Sequence, residues 1–367
     1  MNRKVLIEKS LKEGFEQIKN ELNLESAFLV CGNNCKKIKQ VDELINNTKG
    51  LTVFSNFSAN PKYDEICNGL SLFKKSGAKI IMAIGGGSAI DVAKAIKMFY
   101  GLNENKLYLT QELKANDVVL IAVPTTAGSG SETTRYSILY YKNVNQNVTH
   151  DDLIPKYAIL DFELLQTLPI YQKKVTALDT LCHSVESHWS VSSTAESMEY
   201  SMQAMKMMIE NIDAFLDNTD MGNKNMLKAS YYSGKAINIS KTTAAHAMAY
   251  KMTTYYNIAH GHAVFLGLCV LYKFMINNMS RCIDVRGKED LHNRLLQISY
   301  ALSGENQLLE DDFFVKLLNK VQLKAPQIKD DEIDMLADSV NLEKLGNFPI
   351  KLEKEEIKEL YKQIQKL

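Results

Sequence analysis

The 367-residue chain is 46% hydrophobic and 23% charged, a balance that excludes a disordered or low-complexity protein. Its 43 basic residues offset 43 acidic ones, so no global basic field exists to draw nucleic acid or an anionic membrane. No apolar run reaches the roughly 18 residues a membrane span needs, and the length predicts two domains of roughly 100–200 residues.

The first twenty residues carry Lys4, Glu8, Lys9, Lys12 and Glu13 and lack an apolar core of signal-peptide length. Residues 26–31 (SAFLVC) read as a buried strand, 36–46 as a helix, 51–57 (LTVFSNF) as a second strand and 63–76 as a helix. Residues 79–84 (KIIMAI) form a third strand, 89–99 a helix, and 117–123 (DVVLIAV) a fourth strand. A short strand at 158–160 follows an Asn-rich loop at 143–147. Strands alternating with helices imply βαβ units and a parallel sheet. Beyond residue 164 the strand signal fades, and 173–189, 194–216, 225–239 and 261–277 show helical spacing. The Met-rich stretch 198–208 reads as core filler, and 351–367 as a charged terminal helix with a solvated face. The break at Leu168-Pro169 divides an α/β domain, 1–163, from an all-helical domain, 164–367. The six cysteines (31, 35, 67, 182, 269 and 282) are scattered, as reduced thiols of a cytoplasmic protein would be.

Two loops carry the first chemical signal. The third strand runs into Gly85-Gly86-Gly87-Ser88, and a helix follows. Glycines let backbone approach a pyrophosphate, and a helix N-terminus supplies unpaired N–H groups and the positive dipole end. The spacing is neither that of a Rossmann fingerprint nor that of a Walker A loop. Asp91 sits in the first helical turn, where it could cap that turn or meet a cofactor. The fourth strand leads into a second loop of small hydroxyl and glycine residues, PTTAGSGSETT at 124–134, which offers donors where ligands bind in open α/β folds.

The second signal is a set of metal-ligating side chains. Asp179 and His183 stand four apart, on one face of a helix. His246 lies in 242–255, and His260 and His262 follow a short break. A single histidine on a helix is most often structural, but an aspartate and histidines from separate helices suit Fe²⁺ or Zn²⁺. His188, five residues from His183, points elsewhere and reads as structural; His150 has no comparable company. His262 is off the face of His260 and can reach a cleft without binding metal.

GGGSAID at 85–91, PTTAGSGSE at 124–132, LDTLCHSVES at 178–187 and HAMAYKMTTYYNIAHGHA at 246–263 together resemble the iron-containing, or group III, alcohol dehydrogenases. The resemblance runs in order along nearly the whole chain. It implies a dinucleotide-binding α/β domain with a parallel sheet, an all-α metal-binding domain, and an active site between them. It further implies Asp179, His183, His246 and His260 as metal ligands, Gly86, Gly87 and Ser88 at the pyrophosphate, and Thr125, Thr126 and Ser129 on the loop that meets the cofactor. Fe²⁺ is the expected ion, with Zn²⁺ also suited, and a homodimer is expected by analogy.

Two departures bear on mechanism. Many members of the family carry a second histidine four residues after the third ligand; here that position is Tyr250, which donates a hydrogen bond but is a poor base near neutrality. NAD-preferring members carry an aspartate after the first strand, where this chain has Gly32 followed by Lys36 and Lys37, which favours NADP(H) over NAD(H). The expected reaction is hydride transfer from the nicotinamide to a metal-polarised aldehyde carbonyl, giving a primary alcohol. Segments 186–197 and 241–264 further resemble phosphonoacetaldehyde reductases, and Arg135, Lys241 and Lys251 are candidate partners for an anionic headgroup. A general short-chain alcohol dehydrogenase is the alternative. A dehydroquinate-synthase-like lyase would need a group of basic residues and other ligands, and a catalytically dead scaffold would not need both loops and the ligands intact.

Overall fold

The computed structural model describes residues 3–22, 25–142, 144–340 and 345–367. The chain forms two compact units, residues 1–169 with 217–231, and residues 170–216 with 232–367.

The first unit is built on strands β1 (Lys4–Ile7), β2 (Ala27–Cys31), β3 (Leu51–Phe54), β4 (Ile80–Gly85), β5 (Val119–Pro124), β6 (Tyr136–Tyr141), β7 (Val144–Thr149) and β8 (Tyr157–Leu160). Six of them make one parallel sheet in the order β1-β8-β5-β4-β2-β3. Helices α1 (Leu11–Leu22), α2 (Lys39–Asn47), α3 (Tyr63–Ser76) and α4 (Gly87–Phe99) cover it. Alternate residues of β2 enter different cores. Phe28 and Val30 join the side chains of α3 and α4, while Leu29 and Cys31 join those of α1 and α2. A sheet covered on both faces explains why β2, β4 and β5 read as nearly unbroken apolar runs.

Chain order reverses between β2 and β4: the chain moves outward from β2 to β3, then crosses back to β4 and on to β5. Such a reversal opens a crevice at the carboxyl ends of the two strands. Cys31, Ile84 and Val123 share one register row across β2, β4 and β5. Gly32, Gly85 and Pro124 therefore leave the sheet side by side.

The Asn-rich segment expected as a loop is instead strand: residues 144–147 belong to β7, antiparallel to β6 with Tyr141 opposite Val144, and residue 143 lies outside the described residues. A local hairpin forms its own backbone ladder, so a polar and largely exposed strand persists without apolar alternation. The strand expected over 51–57 stops at Phe54.

The second unit is helical among the described residues: α5 (Ile170–Trp189), α6 (Ala195–Leu216), the latter part of α7 (Asp220–Ser240), α8 (Ala244–Tyr255), α9 (His260–Asn277), α10 (Gly287–Ser303), α11 (Phe313–Lys320), α12 (Ile333–Asp338) and a final helix, Lys354–Ile364. α5 packs on α6 and α9, and α8 on α9. Met205 and Met208 are buried on α6, as core filler requires. The final helix is not simply solvated: its charged face is exposed, but Ile357, Leu360, Tyr361 and Ile364 are buried against α9 and α12. All six cysteines are free thiols, and no helix among the described residues is long and apolar enough to cross a membrane.

Candidate active site

In the first unit the two loops meet. α4 begins at Gly87 with Gly86 as its N-cap, and no side chain caps it. A Cβ on Gly86 would stand 3.2 Å from the Thr126 side chain, and one on Gly87 3.0 Å from Ser129. Only backbone this bare lets the glycine turn and the Thr126–Ser129 loop pack so closely beside the uncapped N-terminus of α4. Thr125 N–H donates to Gly85 O at 3.0 Å, fixing the start of the second loop to the end of β4. Thr125 is buried, whereas Gly86, Gly87, Ser88, Thr126 and Ser129 are half-buried. The Ser88 hydroxyl donates to Ala59 O. Gly32, next in the row after Cys31, has open space: a Cβ there meets nothing within 4 Å.

Asp91 does not cap α4. Its carboxylate accepts from Ser131 Oγ at 2.7 Å and Ile138 N at 3.1 Å, which ties α4 to the end of the second loop. Burial raises its pKa, with Lys94 opposing. Lys94, fully buried on the same helix, donates to Ser131 Oγ (3.1 Å), Thr134 O (2.8 Å), Thr134 Oγ1 (3.0 Å) and Tyr136 O (2.8 Å). Burial pushes its pKa down to about 8 against the pull of Asp91 and Glu132. Glu132 is buried too, and its pKa rises to about 7 for the same reason. This buried set straps the hydroxyl-rich loop to α4. Nothing in the sequence pattern gave Lys94 or Glu132 a role; a lysine set among the apolar residues Val92, Ala93, Ala95 and Ile96, three beyond Asp91, was the available signal.

In the second unit, Asp179 from α5, His246 from α8 and His260 from the start of α9 come together: one ligating atom from each lies within 4.8 Å of the other two. Asp179 and His246 are buried and His260 is half-buried. Gly261 makes the approach possible, because a Cβ there would stand 2.2 Å from Val175 O and 2.7 Å from Asp179 Cβ. Any larger residue would push α9 off α5 and carry His260 away from Asp179. Asp179 Oδ1 is buried without a hydrogen-bond partner among the described residues and stands 3.8 Å from His246 Nε2. That gap is too long for a hydrogen bond. It suits two ligands of one ion, since donors at about 2.1 Å from a shared centre stand about 3.4 Å apart at a tetrahedral angle. One carboxylate with imidazoles is a donor set for Fe²⁺ or Zn²⁺. His183, the fourth expected ligand, is not in that set of three; its ring stacks on His246 with centroids 4.6 Å apart.

Glu186 stands behind His246. It is fully buried, and its Oε2 contacts His246 Nδ1 while Oε1 receives the N-terminal N–H groups of α8. Burial raises its pKa; Thr243, Ala245 and His183 oppose the rise. It lies seven residues after Asp179, on the face that carries Asp179 and His183. An acidic residue at that spacing is a signal already legible in the sequence.

Tyr250 is half-buried, its ring centroid 5.4 Å from that of His260. His262 Nδ1 lies 3.3 Å from the Tyr171 hydroxyl. His188 is structural: its ring nitrogens reach Ser201 Oγ at 2.8 Å and Gln297 Oε1 at 2.9 Å. His150 caps a short turn by accepting from Asp152 N–H. Of the cations expected to meet an anionic substrate, Arg135 pairs with Asp151 at 2.7 Å, Lys241 is exposed, and Lys251 lies over the Tyr255 ring.

Comparison with known proteins gives the family and the fold. Residues 2–162 match the family described as iron-containing alcohol dehydrogenase, and residues 174–365 match its C-terminal domain. The chain is 26% identical to an NADPH-dependent butanol dehydrogenase of Clostridium saccharobutylicum, over 95% of this chain and 94% of that protein. It is 31% identical to a phosphonoacetaldehyde reductase of Streptomyces viridochromogenes, over 62% of this chain and 61% of that protein. Its fold matches that of a sulfoacetaldehyde reductase from Bifidobacterium kashiwanohense solved with NAD⁺, at TM-score 0.88 and 22% identity, covering 99% of this chain and 97% of that one.

Proposed function

This chain belongs to the iron-containing alcohol dehydrogenase family, a nicotinamide-linked oxidoreductase acting on alcohols and aldehydes, and from that premise we propose that it reduces a small aldehyde to a primary alcohol using one divalent ion held by Asp179, His183, His246 and His260. The observation that carries the reading is the convergence of Asp179, His246 and His260 around a buried carboxylate oxygen with no hydrogen-bond partner among the described residues. When bound, the ion supplies Lewis acidity toward the aldehyde oxygen. His183, on the same helix as Asp179 and stacked on His246, would be the fourth residue to hold the ion. Burial of Asp179 and His246 keeps their charge interactions little screened by water. Tyr250, beside His260, donates the proton that the alcohol oxygen gains.

Gly86, Gly87 and Ser88 hold the dinucleotide pyrophosphate at the start of α4, and Thr125, Thr126 and Ser129 hold the rest of the cofactor. Asp91 serves that loop from behind through Ser131. NADP(H) is preferred over NAD(H), because Gly32 leaves space and no carboxylate where a 2′-phosphate would sit, with Lys36 and Lys37 following. Gly32→Asp should shift the ratio of specificity constants toward NADH by about tenfold, the effect of one like-charge contact worth about 1.4 kcal/mol. A wild-type enzyme that already favours NADH contradicts the assignment.

The substrate we propose is phosphonoacetaldehyde, reduced to 2-hydroxyethylphosphonate. Support comes from the 31% identity to the Streptomyces reductase and from Lys251, one residue past Tyr250 on α8. A plain short-chain aldehyde is the second reading, favoured by the nearly full-length relation to the butanol dehydrogenase and by the pairing of Arg135 with Asp151. Specificity constants for phosphonoacetaldehyde, propanal and butanal, measured with NADPH on metal-replete enzyme, decide between them. Equal or faster turnover of the uncharged aldehydes refutes the anionic substrate.

A further inference from the structure

We infer that Glu186 selects the tautomer of His246, holding the proton on Nδ1 so that Nε2 is left bare on the side facing Asp179. The inference rests on the metal reading above and gives a positioning role to a residue outside the ligand set.

The two carboxylate oxygens of Glu186 do different work. Oε1 accepts from Thr243 N (3.1 Å), Thr243 Oγ1 (2.6 Å) and Ala245 N (2.8 Å). Two of these donors are backbone N–H groups. The third is the Thr243 hydroxyl, which accepts from the Trp189 indole N–H at 3.0 Å and donates its own proton to the carboxylate. Oε1 therefore caps the N-terminus of α8 from another helix. Oε2 contacts His246 Nδ1, while Nε2 of the same ring faces Asp179 Oδ1 at 3.8 Å. Glu186 is 0% exposed and His246 2%, so bulk water has little access to that contact. An ionised carboxylate only accepts, and it makes Nδ1 the N–H of the neutral ring. The lone pair then falls on Nε2, as a metal-ligating imidazole requires.

Glu186→Gln separates this role from the cap. The amide oxygen can keep all three Oε1 contacts, and the amide N–H₂ then faces His246. Nδ1 must turn acceptor, and the ring proton moves to Nε2, where it blocks coordination. The flipped amide would set N–H₂ against the backbone N–H groups of Thr243 and Ala245 to rescue one contact, so it does not compete.

The test uses full-length protein stripped of metal and labelled with ¹⁵N-histidine, wild type beside E186Q, with His246→Gln to assign the signal. Long-range ¹H–¹⁵N spectra should show His246 as the Nδ1–H tautomer in wild type and Nε2–H in E186Q. Competition for zinc(II) against a chromophoric chelator should show E186Q binding about 10- to 100-fold more weakly, the usual range for losing such a partner. Thermal unfolding of the two metal-free proteins should nearly coincide, since the cap remains. An Nε2–H ring in wild type overturns the inference, and this spectrum decides even where E186Q fails to fold. Equal zinc affinities overturn the inference alone. A wild type that binds no zinc removes the metal reading and this inference with it.

Discussion

The two candidate regions are built from opposite materials. The cradle in the α/β unit is mostly backbone: glycines and small hydroxyl residues at the ends of neighbouring strands, with the bare N-terminus of α4 between them. The cluster in the helical unit is side chain: one carboxylate and imidazoles from three helices, brought together where Gly261 lets α9 touch α5. A site made of backbone is harmed by adding atoms, and a site made of side chains by removing them. Each is steadied by an acid beside it, half-buried Asp91 for the loop and fully buried Glu186 for the histidine.

That contrast can be broken by substitution. The largest effect belongs to the side-chain site: Asp179→Ala, His246→Ala or His260→Ala should abolish metal retention and reductase activity while leaving the α/β unit folded, as metal analysis, turnover and circular dichroism would show. Full activity in metal-free His246→Ala would refute the assignment.

A smaller effect separates a structural histidine from the candidate ligands on the same helix. Burial lowers the His188 pKa from 6.5 to about 4. The unfolded chain then takes up this proton first as pH falls, so the contribution of neutral His188 is complete above about 6.5 and is lost as pH drops toward 4. Between pH 7 and pH 4 the loss should be about 3 kcal/mol by linkage. Denaturant unfolding at both pH values should show wild type losing more stability than His188→Gln by that amount; equal losses would contradict it.

The smallest effect belongs to the backbone site. Gly87→Ala places a methyl 3.0 Å from Ser129, a contact that must give by a few tenths of an ångström. The KM for NADPH should rise about tenfold, equivalent to about 1.4 kcal/mol, with kcat little changed. An unchanged KM would mean that the loops do not hold the cofactor.

What the sequence disclosed follows the same division. Strands β2, β4 and β5 and the glycine turn were legible because burial on both faces leaves long apolar runs, and the turn chemistry is local. Strand β1 was not: KVLI is half-exposed, and its partner β8 lies some 150 residues on, at Tyr157–Leu160. The β6–β7 hairpin was hidden by polar residues whose pairing is backbone alone. Helices α10 to α12 went unread because their burial comes from neighbours distant in sequence. Candidate ligands could be named from residue type and i, i+4 spacing. The role of Gly261 and the capping of α8 by Glu186 depend on contacts between α5, α8 and α9 that no local pattern encodes.

The central claim is that the glycine turn and the Thr125–Ser129 loop hold the nucleotide whether or not metal is bound, while turnover needs the ion at Asp179, His246 and His260. It is tested most directly by stripping the enzyme of metal, titrating NADPH by fluorescence, and following NADPH oxidation with an aldehyde before and after adding Fe²⁺ or Zn²⁺. The account predicts unchanged NADPH affinity in the stripped enzyme, no turnover, and recovery on adding the ion. Full turnover without metal would contradict it.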